Sequence, residues 1–204
     1  GLDTRFEISV VGVAPAVRTG RGLTLPLAGV PREAPDWVLV PSLSEITPDA
    51  LATRLDSPDA RAAVAVLRDY AKRGARIGAA CTASFLLAEA GLLDGYEATT
   101  SWWLSPLFRE RYPQVRLNES KMLVETASCV TAGAAIAHLD LALWLVRQAS
   151  PTLAEQTARY MVVDARPSHT AFAIPNHLSH NDPVVQRFET WARANLANGF
   201  SLAD

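Results

Sequence analysis

Short apolar runs and helically spaced apolar positions take turns along this chain, and each kind predicts its own element. Phe6-Glu-Ile-Ser-Val-Val-Gly12 reads as a strand in progress. Asp36-Trp-Val-Leu-Val-Pro41 is a continuous β-branched and apolar run, the pattern of a strand covered on both faces. Ser57-Pro58-Asp59 starts a helix, with a cap and then proline at the first position. Ala62, Val66 and Tyr70 then recur at helical spacing until Gly74. A strand over Arg76–Ala80 runs into an apolar helix from Thr82 to Ala90, closed by Gly91. Ala98–Ser101 predicts a short strand, Ser105–Arg111 a helix turn or two, and Val115–Leu117 another short strand. Met122–Glu125 and Cys129–Thr131 pair as a hairpin, and Gly133 precedes a long helix through Ala149. That helix is apolar nearly all round and is expected deep in the molecule. A second helix starts after Ser150-Pro151. Asp182–Asn195 predicts an amphipathic helix with Val184, Val185, Phe188, Trp191 and Ala192 on one side. Phe200–Asp204 opens a further helix with Ser201 as its N-cap.

Such alternation argues for the α/β class: an open, mostly parallel sheet with helices on both faces, where ligands bind beyond the carboxyl ends of the strands. The 204 residues, 49% of them hydrophobic, can bury one substantial core. With a net charge of −2 and no Lys/Arg cluster longer than a pair, the segment has no electrostatic footprint for nucleic acid. Two cysteines are too few for a disulfide framework and favour a reducing compartment. No basic and apolar leader opens the chain, and no apolar run approaches the roughly 20 residues that span a bilayer. The expectation is a cytoplasmic protein with no membrane partner. Gly1 is not an initiator methionine, and the last predicted helix stops within its first turn, so both ends read as cut.

Cys81 is the most informative residue. It stands where a buried strand meets a helix, the arrangement of a nucleophile elbow, which lifts one side chain above the sheet. Free N–H groups and the positive end of a helix favour a thiolate at such a place. Gly78, Ala79, Ala80 and Ala83 allow close approach of strand, turn and helix. Cysteine hydrolases pair such a thiol with an oriented histidine. His138 lies near the start of the long helix and could reach the elbow, although a core histidine bonded to backbone is the preferred reading. Asp140 on the same helix is read as structural. His177, His180 and Asp182 have a spacing that could hold a metal, but Pro175 and Pro183 make that segment, which begins near His169, an irregular connector. No metal site and no cofactor is expected, and no Gly-rich phosphate loop follows any strand. Trp102-Trp103 reads as packing, with one ring at the mouth of the pocket.

The stretches GARIGAACTASFLLAEAGLLDGYEATTSWW (74–103), YPQVRLNESKMLVE (112–125) and VTAGAAIAHLDLALWLV (130–146) resemble the ThiJ/PfpI branch of the class I glutamine amidotransferase-like superfamily. More narrowly, the chain resembles the N-terminal domain of AraC-type transcription regulators. FETWARANLANGFSLAD (188–204) is similar to the connecting helix and first residues of the helix-turn-helix domain that follows in such regulators. The resemblance implies a flavodoxin-like three-layer sandwich and a division into two parts. Residues 1–182 would form the sensory domain, without the strand and helix that normally open it, and 183–204 the connecting helix with a truncated start of the DNA-binding domain. It further implies an unknown small-molecule effector, a homodimer, and DNA contacted through a helix-turn-helix domain absent from this chain.

Hydrolase-like members of the superfamily place a histidine directly after the elbow cysteine, where this chain has Thr82. Others place one just after the Thr-Thr strand, where it has Ser101. The resemblance therefore implies a ligand pocket built from Cys81, Thr82, Ser101, Trp102 and His138, in a domain that senses without catalysis. The alternative is a cysteine-dependent hydrolase, hydratase or amidase using Cys81.

Overall fold

The computed structural model describes residues 6–19 and 22–163, together with Ser168, Val184, Arg187, Phe188 and Trp191. The strand expected over Phe6–Gly12 does not form. Val11 makes a single bridge to Ala28, and Phe6, Ile8 and Val10 are exposed, because no strand among the described residues pairs along this segment. An unforeseen antiparallel pair follows, β1 (Ala16–Arg18) with β2 (Thr24–Pro26). Its turn is closed by Leu23 N–H donating to Thr19 Oγ1 at 3.1 Å.

β3 (Trp37–Val40) leads to α1 (Pro48–Leu55), also unforeseen, which is capped where Thr47 accepts from Ala50 N–H. α2 (Pro58–Lys72) starts at the expected Ser57 cap, and Gly74 ends it with φ +91°. Its buried residues are Ala60, Val64, Leu67 and Tyr70, not Ala62 and Val66. The face that turns inward is the one that buries Leu67 and lets the Tyr70 hydroxyl donate to the Pro31 carbonyl at 2.9 Å.

β4 (Arg76–Ala80), a 3-10 turn over Cys81–Ala83 and α3 (Ser84–Glu89) form the elbow. The strand expected over Ala98–Ser101 is shorter, β5 (Glu97–Ala98). Beyond it, side chains replace the ladder: Thr99 N–H donates to Thr131 Oγ1 at 2.9 Å and Thr99 Oγ1 to the Lys121 carbonyl at 2.8 Å. α4 (Ser105–Arg111), β6 (Arg116–Leu117), the antiparallel pair β7 (Leu123–Glu125) and β8 (Cys129–Ala132), α5 (Ala137–Ala149) and α6 (Pro151–Tyr160) complete the described elements.

The main sheet has the order β3-β4-β8-β7, parallel except for β7; β5 and β6 pair separately in parallel. Alternation along β4 and β8 sends side chains to opposite faces. Ile77, Ala79 and Cys129 join Leu51, Leu67, Phe85 and Phe108 in the larger core beneath α1–α4. Ala80, Val130 and Ala132 meet Leu141 and Trp144 of α5 on the other face. The molecule thus has the mostly parallel sheet with helices on both faces that the alternation argued for, and so the three-layer sandwich that the resemblance implied.

Two expectations of burial are corrected. β3 is half-buried, with Leu39 44% exposed, because among the described residues it is hydrogen-bonded to β4 alone, at the edge of its sheet. α5 buries Ala137, Leu141, Leu143 and Trp144 on one side, while Ala142, Arg147 and Gln148 are exposed, so it is a covering helix and not a central one. His169, His177, His180 and Asp182, most of the helix expected over Asp182–Asn195 and all of Phe200–Asp204 lie outside the described residues. Val184, Arg187, Phe188 and Trp191 are helical.

Candidate functional site

The elbow forms as its residues dictate. β4 delivers Cys81 at the carboxyl end of a central strand, and Cys81 adopts φ +57°, a left-handed conformation that is uncommon for any residue with a side chain. Ser84 holds the turn: its N–H and its hydroxyl both bond the Cys81 carbonyl, the hydroxyl at 2.9 Å. Ser84 Oγ also lies 2.7 Å from Thr100 Oγ1. The small residues along β4 have a reason in packing. A Cβ added at Gly78 would stand 2.8 Å from Leu39 Cδ2 and 3.2 Å from Leu141 Cδ1.

Cys81 is 4% exposed, and its sulfur lies 2.9 Å from the hydroxyl of fully buried Ser101. Thr82, beside it and also fully buried, bonds Ser42 Oγ at 2.8 Å and accepts from Leu43 N–H at 2.9 Å. His138 is exposed rather than in the core, and backbone engages both ring nitrogens. Nε2 accepts from Ser42 N–H at 3.0 Å, which leaves the proton on Nδ1, 3.0 Å from the Ala135 carbonyl. The histidine is therefore bonded to backbone as preferred, but at the surface. Trp102 is half-buried and meets Trp103 edge to face, with ring centroids 5.4 Å apart; Trp103 packs on the larger core.

Four sequence-selected residues thus fall into two linked groups, Cys81 with Ser101 and Thr82 with His138, the second joined through Ser42. Ser42, Ser84 and Thr100 escaped the sequence reading because lone hydroxyls carry no spacing signal. The second cysteine, Cys129, is buried in the larger core, and burial pushes its thiol above the ordinary range. It takes no part in the elbow.

This geometry can hold a polar ligand atom against a thiol and a hydroxyl. As placed, it gives the thiol a serine neighbour where a hydrolase needs an imidazole. A separate cavity of about 420 Å³ is lined by Glu97, Arg109, Arg116 and Asn118 among others. Two ion pairs border it, Arg109 with Glu119 at 2.9 Å and Lys121 with Glu97 at 3.3 Å.

Residues 50–148, which contain the elbow, match the model of the DJ-1/PfpI family. The match takes in 99 of the 204 residues. It is 28% identical over 144 residues to the HTH-type transcriptional regulator GbdR of Pseudomonas aeruginosa, covering 68% of this chain and 39% of that protein. It is 38% identical over 98 residues to the HTH-type transcriptional regulator CdhR of the same species, covering 48% of this chain and 29% of that protein. An AraC family transcriptional regulator from Pseudomonas putida superposes with a TM-score of 0.55 at 21% identity, over 72% of this chain and 76% of that one. The chain thus spans well under half the length of these two regulators. No helix among the described residues is long and apolar enough to cross a membrane.

Proposed function

We propose that this chain is the effector-sensing and dimerisation part of an AraC-type transcription regulator, acting in the cytoplasm. In this reading residues 1–182 form the sensor, and 183–204 begin the connection to a helix-turn-helix domain that contacts DNA. A small molecule binds at the elbow, against Cys81, Thr82, Ser101, Trp102 and His138. It regulates only if it binds one arrangement of the dimer more tightly than another.

The observation that carries the proposal is the partner of the Cys81 sulfur, a serine hydroxyl 2.9 Å away in a chain whose relatives are named as transcriptional regulators. A hydroxyl can bond a ligand or a thiol, but near neutral pH it cannot take and return the proton that cysteine hydrolysis moves. The test is turnover of p-nitrophenyl acetate by the wild type and by Cys81→Ser. No turnover that depends on Cys81 is expected. A clear loss of rate in the variant would establish the cysteine-dependent hydrolase, hydratase or amidase instead.

A further inference from the structure

Beyond the thiol itself, the segment that leaves β3 is tied down from two directions. Val40 pairs with Ala79, so residues 41–44 leave the sheet at the same end as the elbow. Ser42 N–H donates to His138 Nε2 at 3.0 Å, while Ser42 Oγ and Leu43 N–H both meet Thr82 Oγ1, at 2.8 and 2.9 Å. Ser44 N–H turns back to Ser42 Oγ at 3.0 Å, and Ser44 holds φ +61°, a backbone state that non-glycine residues seldom adopt. Such a state persists where surrounding bonds hold it in place. Thr82 and Ser101 have no exposed surface and Cys81 almost none, so nothing can reach the thiol without displacing a neighbour. The residue lying against Thr82 is held by hydrogen bonds at a half-exposed loop, each worth little enough to open and close.

We infer that Ser42–Ser44 is a gate over the Cys81 elbow, latched by Thr82 and His138, and that an effector reaches the Cys81–Ser101 pair when those bonds open. The inference rests on the sensor reading and specifies how that site is regulated. Thr82 and His138 are positioning residues in this scheme. Thr82, at the place where hydrolase-like relatives would carry a base, works as a clasp.

The experiment is native-state alkylation by iodoacetamide, with Cys81 and Cys129 quantified separately by peptide mass spectrometry. Thr82→Val keeps the shape and removes the acceptor; His138→Phe keeps a ring and removes the acceptor. Both should speed alkylation of Cys81 at least about fivefold, the scale of one lost hydrogen bond, and leave Cys129 unchanged. His138→Gln, whose amide oxygen can accept from Ser42, should return the rate toward wild type. The gate is overturned if either first variant leaves Cys81 within about twofold of wild type, or if Cys129 accelerates in parallel, which reports general loosening. Ester turnover in the same preparations separates the two ideas. Cys81-dependent turnover removes the sensor reading and leaves the gate standing, whereas unchanged alkylation without turnover removes the gate alone.

Discussion

Cys81 and Ser101 share one buried hydrogen bond, and the two ways of breaking it differ in cost. Cys81→Ala leaves the Ser101 hydroxyl without its thiol partner in a fully buried place, a penalty of about 1–3 kcal/mol. Ser101→Ala strands only a weakly polar thiol and is expected to cost about 1 kcal/mol or less. Urea unfolding of the two variants checks the order, and equal losses would refute the difference between a stranded hydroxyl and a stranded thiol. Ser105 offers the opposite case, since its Oγ is buried with no hydrogen-bond partner among the described residues. Ser105→Ala should therefore be neutral or stabilise by up to about 1 kcal/mol. A fall in melting temperature would show that this hydroxyl is engaged. At these positions the sequence pointed to Cys81 through its setting between strand and helix, and to Ser101 and Thr82 through imidazoles missing relative to the family pattern. What each hydroxyl bonds instead depends on distances that no spacing records.

The β4 strand and the α5 helix meet closely because Gly78 has no side chain. Gly78→Val would drive a branched side chain toward Leu39 and Leu141 and should destabilise by about 1–3 kcal/mol. Unfolding at the wild-type midpoint would refute the tight contact. β5 and β6 are tied in a different way, through charge. Asn118 foremost and then Lys121 hold the Glu97 carboxyl below its ordinary value, against a smaller opposing effect of burial. A group whose folded pKa is depressed contributes its stability above the unfolded pKa and loses it as pH falls through the folded value. Acid should therefore loosen the β5–β6 tie, and Glu97→Gln should flatten that part of the stability profile measured by urea melts across the carboxylate range. The same elements show why burial was misjudged. The Trp37–Val40 run is apolar enough for a central strand, yet it lies at an edge. The α5 sequence is apolar nearly all round, yet one side is exposed. An apolar residue tolerates exposure, so composition limits burial from one direction only.

At the scale of the molecule, an exposed apolar stripe bears on the proposed dimer. Val184, Phe188 and Trp191 are helical, spaced four and three apart, and exposed by 62%, 50% and 38%. Apolar stripes of this kind mark interaction surfaces. Under the proposed function this stripe joins two copies, so the chain should sediment as a dimer, and Phe188→Glu combined with Trp191→Glu should shift it to monomer. Monomeric wild type at high concentration would remove the dimer from the proposal. GbdR and CdhR are longer than this chain, so under the proposed function DNA contact is tested on a chain that extends past Asp204. The reading frame beyond Asp204 is expected to encode two helix-turn-helix units.

By itself the sequence determined the alternation of strands and helices, the cap at Ser57, the stop at Gly74 and the elbow at Cys81. Each of these is settled by the conformational preferences of a few adjacent residues. Only the tertiary structure decided which strand lies at the edge, which face of α2 turns inward, and that Phe6–Gly12 pairs with almost nothing. It also decided that the Cys81 sulfur meets Ser101 and that His138 holds Ser42. Those partners come from segments 20 and 96 residues apart in the chain. Their meeting is an outcome of how the sheet and its covering helices pack, and packing is a property of the assembled fold rather than of any local pattern.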